Sequence, residues 1–127
     1  MGPDAGPGGP VRFGPVQTKD LRDLVRFSEA GPHHGPLYES GRLWSEVVCL
    51  EGPQRLGPIS DPGSDAIFAV LAGEVAVQVD RRRARLKQWG TVLVPAGSTL
   101  TIANASPEPA VLLIVAAPPP VPRSVSG

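Results

Sequence analysis

IFAVLAGEVAVQVD (67–80) is the stretch of sequence that decides the fold. Its second half alternates with a period of two, so an extended chain places Val75, Val77 and Val79 on the same face. Gly73 interrupts the apolar residues and predicts a bend between two strands. The stretch therefore predicts two consecutive β-strands, the second of which has one buried face.

Short apolar segments on either side extend this pattern. The basic segment RARLKQW (83–89) follows a turn at Asp80–Arg82 and is expected to pair back on the valine strand. The other predicted strands are LWSEVVCLE (43–51), TVLVPAG (91–97), STLTIAN (98–104) and AVLLIVAA (110–117), with GPQRLGP (52–58) read as a turn-rich connection. Regularly spaced short strands predict an all-β sandwich or barrel. The segment Thr18–Phe27 is either a helix capped by Thr18 or an extended lead-in strand.

Glycine and proline are concentrated at the two ends of the chain. The 127 residues include 15 glycines and 16 prolines, and many of these lie in residues 1–15 and 118–127. Both residue types disfavour regular structure when they are clustered. We predict a flexible arm over 1–15, one β-domain over 16–117 and a flexible tail over 118–127. A hydrophobic content of 41% is sufficient for a packed core.

The charge balance argues against several classes of protein. Twelve Lys and Arg residues balance 12 Asp and Glu residues, so we expect no bulk attraction to nucleic acid or to an anionic membrane. The basic residues Arg81, Arg82, Arg83, Arg85 and Lys87 predict a solvated outer face, with a local anion patch as the alternative. Apolar runs are too short for a transmembrane helix or a signal-peptide core, so a cytoplasmic protein is expected.

The spacing of several glycines and one asparagine carries a family resemblance. VLAGEV occupies 70–75, Gly90 precedes an apolar strand, PAG occupies 95–97, and Asn104 follows. This arrangement resembles a single-domain cupin over about residues 43–117. The resemblance implies an antiparallel jelly-roll β-barrel that pairs as a homodimer.

The resemblance also implies where a metal would be held. The three histidines and one glutamate of the cupin motifs correspond here to Ile59, Asp61, Leu100 and Ala66. Ile, Leu and Ala offer no donor atom to a transition metal, and one aspartate does not complete a site. We therefore expect no metal, no other cofactor and none of the standard metal-dependent cupin chemistry.

A ligand pocket in place of the metal site is the main functional expectation. The predicted lining residues are Ile59, Asp61, Ala66, Phe68 and Leu100, with Trp44 and Glu46 from the first strand of the motif region. Apolar replacements leave either a collapsed interior or room for a small apolar or weakly polar molecule. The chain is thus predicted to be a binding, structural or regulatory module. The alternative is a metal-independent enzyme of the epimerase type, using Asp61, Glu46 or Tyr38.

Three further residues that carry reactive groups have predicted locations. His33 and His34 lie between Gly and Pro residues, which predicts an exposed loop pair; the alternative places one histidine at the barrel mouth as a base or partial ligand. Cys49 is expected to be a buried, inert thiol facing away from the pocket side of its strand.

Overall fold

The computed structural model describes residues 16–120 and consists almost entirely of strands. The predicted arm (1–15) and residues 121–127 of the predicted tail lie outside this range. The strands are β1 (His33–Glu39), β2 (Trp44–Leu50), β3 (Arg55–Ser60), β4 (Asp65–Ala72), β5 (Val75–Val79), β6 (Arg82–Leu86), β7 (Thr91–Val94), β8 (Thr99–Ala103) and β9 (Ala110–Ala117). None of the described helical segments is long and apolar enough to cross a membrane.

Two antiparallel sheets pack face to face. One sheet has the order β1-β2-β9-β4-β7 and the other has the order β3-β8-β5-β6. The alternation predicted for the valine strand is confirmed, since Val75 and Val77 are 1% and 4% exposed and lie in the core between the sheets. β6 pairs with β5 across a turn at Asp80–Arg81, also as predicted. The all-β, jelly-roll fold class is thereby confirmed.

Two strands were missed because they contain proline. β1 includes Pro36, and β3 includes Pro58 within the segment that the sequence predicted to be a turn. Each is the outermost strand of its sheet, and each pairing shifts register around the proline. Proline removes one backbone donor, and an edge strand tolerates this because one of its sides needs no partner. The prediction of a turn-rich connection over 52–58 was therefore wrong from Arg55 onward, where β3 begins.

The helix candidate proves to be one short helical turn within an extended segment. Leu21–Leu24 forms a 3-10 turn, and the Asp20 side chain caps it by accepting the Arg22 backbone N–H. Leu24, with its neighbours Leu21 and Val25, covers the outer face of the β1-containing sheet. Cys49 lies fully buried beneath this cover, and burial raises the pKa of its thiol. The predicted location of Cys49 is confirmed.

The motif residues hold the bends between strands. Gly73 and Gly97 adopt φ values of +82° and +88°, as their turn positions predict. Asn104 is fully buried and connects two chain segments: its Nδ2 donates to the carbonyls of Leu50 and Glu108. These hydrogen bonds connect the loop between β8 and β9 to the end of β2.

Candidate functional site

A cavity of about 480 Å³ lies between the two sheets and is partly open to solvent. This volume falls in the range of ordinary small-molecule sites, which span about 300–1,000 Å³. Its walls include all seven residues that the sequence placed there: Trp44, Glu46, Ile59, Asp61, Ala66, Phe68 and Leu100. The interior is thus open rather than collapsed. Whether these residues bind a ligand stays a prediction.

The deep wall of the cavity is apolar. Phe68 and Leu100 are 5% and 2% exposed, and they come from facing sheets. Ala66 precedes Phe68 on the same face of β4, and its small side chain leaves space where a larger residue would fill the cavity. Ile59, at 40% exposed, lies near the opening. An apolar wall of this kind favours the aliphatic or aromatic part of a ligand.

A histidine–glutamate pair lines the same cavity. His34 Nδ1 lies 2.7 Å from Glu46 Oε2, and the His34 side chain is 47% exposed. The two histidines were predicted to form an exposed loop. The loop was wrong, because both begin β1 and pair with β2, whereas the exposure of His34 is confirmed. Successive strand residues point to opposite faces, so His34 turns inward while His33 lies opposite Cys49 on the other face. The alternative, a histidine at the cavity mouth, is what the structure has.

The local sequence gives no signal that His34 lines the cavity. Pro36 and Gly35 suggest a loop, whereas an edge strand accepts both residues. The facing position becomes visible only when the β1–β2 register places His34 opposite Val48, a residue of the inner core. This pairing is set by the tertiary fold and has no local signal.

Two further acidic residues line the cavity. Glu39 and Asp61 contribute carboxylates, and Asp61 Oδ1 accepts the Gly63 backbone N–H within its own turn. Tyr38, which the enzyme alternative considered, is absent from the described cavity lining, and its hydroxyl donates to the Gln17 carbonyl. Of the three groups proposed for catalysis, Asp61 and Glu46 line the cavity and Tyr38 does not.

The residues at the metal-ligand positions of the motifs do not fit a transition metal. Ile59, Ala66 and Leu100 carry no donor atom, and among residues 16–120 no group of three or more His, Cys, Asp or Glu side chains is arranged to hold a metal. His34 and Glu46 provide two donors from other strands, which is fewer than metal sites use.

The basic strand lies on the outside of the second sheet, away from the cavity. Arg83 and Arg85 are exposed; Arg83 donates to Gln78, and Arg85 forms an ion pair with Glu74. Gln78 lies on the paired strand β5, and Glu74 directly precedes that strand. The arrangement agrees with a solvated outer face, and the absence of nucleic-acid binding stays a prediction.

Comparisons with known proteins place these features in a family. The family model for the cupin domain matches residues 46–116. A protein from Thermus thermophilus with a known crystal structure is 32% identical in sequence to this chain. The match covers 83% of this chain and 100% of that protein's chain, with a TM-score of 0.80. No curated protein matches the sequence.

Two further crystal structures share the fold at lower identity. An uncharacterised protein with a double-stranded β-helix domain from Klebsiella pneumoniae is 20% identical over 81% of this chain and 90% of its own, with a TM-score of 0.76. The cupin domain of Cnp3 from Schizosaccharomyces pombe is 21% identical over 79% of this chain and 68% of its own, with a TM-score of 0.71.

Proposed function

Since this chain belongs to the cupin family, we propose that it binds a small, largely apolar molecule between its two sheets without metal-dependent catalysis. The observation that carries the proposal is the open cavity of about 480 Å³ with apolar side chains at the metal-ligand positions. The cavity offers shape and apolar surface in place of metal ligands, which supports a binding role with a structural or regulatory output.

The cavity has the composition that small-molecule sites need. Its deep wall of Ala66, Phe68 and Leu100 removes apolar ligand surface from water, which is worth about 25 cal/mol per Å². The lining also includes polar side chains, Glu46 among them, which would orient a ligand that has one polar end. A ligand with an apolar body and one polar group fits a lining of this composition.

Tryptophan fluorescence provides a direct binding assay. The chain has two tryptophans: Trp44 lines the cavity, whereas Trp89 is 74% exposed. Replacing Trp89 with Phe leaves Trp44 as the single reporter at the site. We expect 2-phenylethanol, as a neutral probe, to change the Trp44 emission in a saturable way.

A matched pair of substitutions tests whether the signal comes from the cavity. Ala66→Leu adds volume inside it, whereas Ala69→Leu adds the same atoms on the opposite face of the same strand. We expect Ala66→Leu to weaken probe binding at least tenfold and Ala69→Leu to leave it unchanged. Equal affinity in both variants would contradict the proposal.

A second candidate function rests on the His34–Glu46 contact. A carboxylate that holds Nδ1–H of an imidazole leaves Nε2 as a proton acceptor, which is the arrangement of a general base. A metal-independent enzyme of the isomerase type would use this pair. The test is deuterium incorporation at carbon atoms next to carbonyl groups in a sugar panel, followed by proton NMR. Exchange that is lost in His34→Gln would support the enzyme, and no exchange would exclude it for that panel.

We also propose that the protein is a cytoplasmic homodimer. Two exposed apolar side chains support an interface with a second copy on the outer face of the first sheet. Ile67 is 50% exposed, and its cross-strand neighbour Leu93 is 61% exposed. Exposed apolar neighbours are typical of protein interfaces. Light scattering of the wild type and of Leu93→Glu tests the dimer, because a charge at the interface should shift the mass toward the monomer. Cell fractionation tests the location.

A further inference from the structure

The charged residues of the cavity are mainly of one sign. Glu39, Glu46 and Asp61 bring three carboxylates to its walls, and His34 is the one basic group among the described lining residues. No lysine or arginine within residues 16–120 lines the cavity. The site therefore has a negative potential in a partly enclosed apolar space, where electrostatic attraction is stronger than in water.

Glu46 is the carboxylate that the fold buries. The whole residue is 9% exposed, and the one hydrogen-bond partner of its carboxylate among the described residues is His34, which contacts Oε2. A buried carboxylate normally has several partners, because burial removes the water that would solvate its charge. Oε1 of Glu46 is thus available in the cavity as a hydrogen-bond acceptor.

Two aromatic side chains complete the surroundings of this carboxylate. Trp44 lies two residues before Glu46 on the same face of β2, and Phe68 lies on β4 across the same cavity. The faces of indole and phenyl rings carry negative charge density and attract organic cations. Carboxylate and aromatic groups in one cavity are complementary to an ammonium group attached to an apolar body.

We propose that the ligand is an organic ammonium ion, an amine with an aryl or alkyl body, whose charged group is held by Glu46. This inference rests on the proposed binding function and specifies its ligand class. The apolar body packs against Phe68 and Leu100, and the ammonium group donates to Oε1 of Glu46 and faces the Trp44 ring. An organic anion of the same shape is repelled by the same carboxylates.

Three probes of similar size test the proposal on the full-length protein. They are phenethylammonium, the neutral 2-phenylethanol and the anionic 3-phenylpropanoate, each titrated by calorimetry at pH 7.5 and low salt. We expect the ammonium ion to bind at least tenfold more tightly than the alcohol, and the anion to bind most weakly. Added salt should reduce the difference between the ammonium ion and the alcohol, since it screens the charge.

Substitutions then assign the preference to one carboxylate. Glu46→Gln should reduce the preference for the ammonium ion to less than threefold, while the exposed Glu108→Gln should leave it unchanged. Far-UV circular dichroism checks that each variant is folded. If Glu46→Gln does not fold, Glu39→Gln replaces it, and we expect a smaller loss of the preference for the ammonium ion.

The outcomes separate the two proposals. If the alcohol binds as tightly as the ammonium ion, or if the anion binds best, the inference is overturned while the binding function stands. A preference that survives in folded Glu46→Gln also overturns it. If none of the three probes binds, both the inference and the proposed function fail.

Discussion

Replacement of Asn104 with alanine should destabilise the domain more than any exposed polar substitution. The Asn104 side chain is fully buried in the loop after β8. Its Nδ2 donates to Leu50 O at 3.1 Å and to Glu108 O at 2.7 Å, and its Oδ1 accepts the Ser106 N–H at 3.1 Å. Alanine removes all three contacts and leaves the backbone partners without this side chain.

The size of the effect follows from these three hydrogen bonds. Each contributes about 1 kcal/mol net, and a partner left buried without a contact costs more. The total loss is about 3 kcal/mol. For a domain of this size, 1 kcal/mol corresponds to a shift of about 4–8 °C in Tm, so we expect Tm to fall by roughly 15 °C.

Urea denaturation followed by circular dichroism measures this loss. Ser106→Ala is the matched control in the same loop, because it removes one exposed contact with the Glu108 N–H. We expect the control to cost less than about 1 kcal/mol. A loss below about 1 kcal/mol for Asn104→Ala would refute the assignment of Asn104 as the residue that holds this loop.

Three other predictions test single features of the fold. Gly73→Ala should cost at least about 2 kcal/mol, because a Cβ there would lie 2.5 Å from the Pro109 carbonyl oxygen at a positive φ. Gly97→Ala, also at positive φ but with no atom within 4 Å, should cost only about 1 kcal/mol, and equal losses in urea denaturation would contradict this reasoning. The Cys49 thiol should react with a disulfide reagent slowly in the native protein and rapidly in guanidinium, because it is buried and its pKa is raised; rapid native reaction would argue against the burial. The hydrogen bond from the Arg22 side chain lowers the pKa of Asp20 to about 2, so its contribution to stability is present above the ordinary value of 3.8 and is lost as the pH falls toward 2. NMR titration should show the pKa of Asp20 rising in Arg22→Gln, and an unchanged value would exclude this contact in solution.

The features from which the fold was predicted depend on residues that are close together in sequence. The alternating valines of β5, the positive-φ glycines and the turn before β6 each depend on neighbours in sequence, so their positions were predictable. The edge strands β1 and β3 were missed, because proline is a local signal against a strand and only the sheet order makes it acceptable.

Part of the candidate site was predictable from the positions of residues within the sequence motifs, and part depends on how distant strands pair. Counting along the motifs placed Ile59, Ala66 and Leu100 at the cavity, because the family resemblance fixes their strands. The contact between His34 and Glu46 depends on the pairing of β1 with β2. It brings together residues whose local sequence gives no indication that they meet.

We propose that the space between the two sheets is a binding site for a small molecule. Intermolecular NOEs between 2-phenylethanol and the protein test it most directly, because they identify the side chains in contact with the probe. We expect NOEs from the phenyl ring to Trp44, Phe68 and Leu100, which line the cavity. NOEs only to the exposed outer residues Ile67 and Leu93, or no NOEs at millimolar probe, would contradict it.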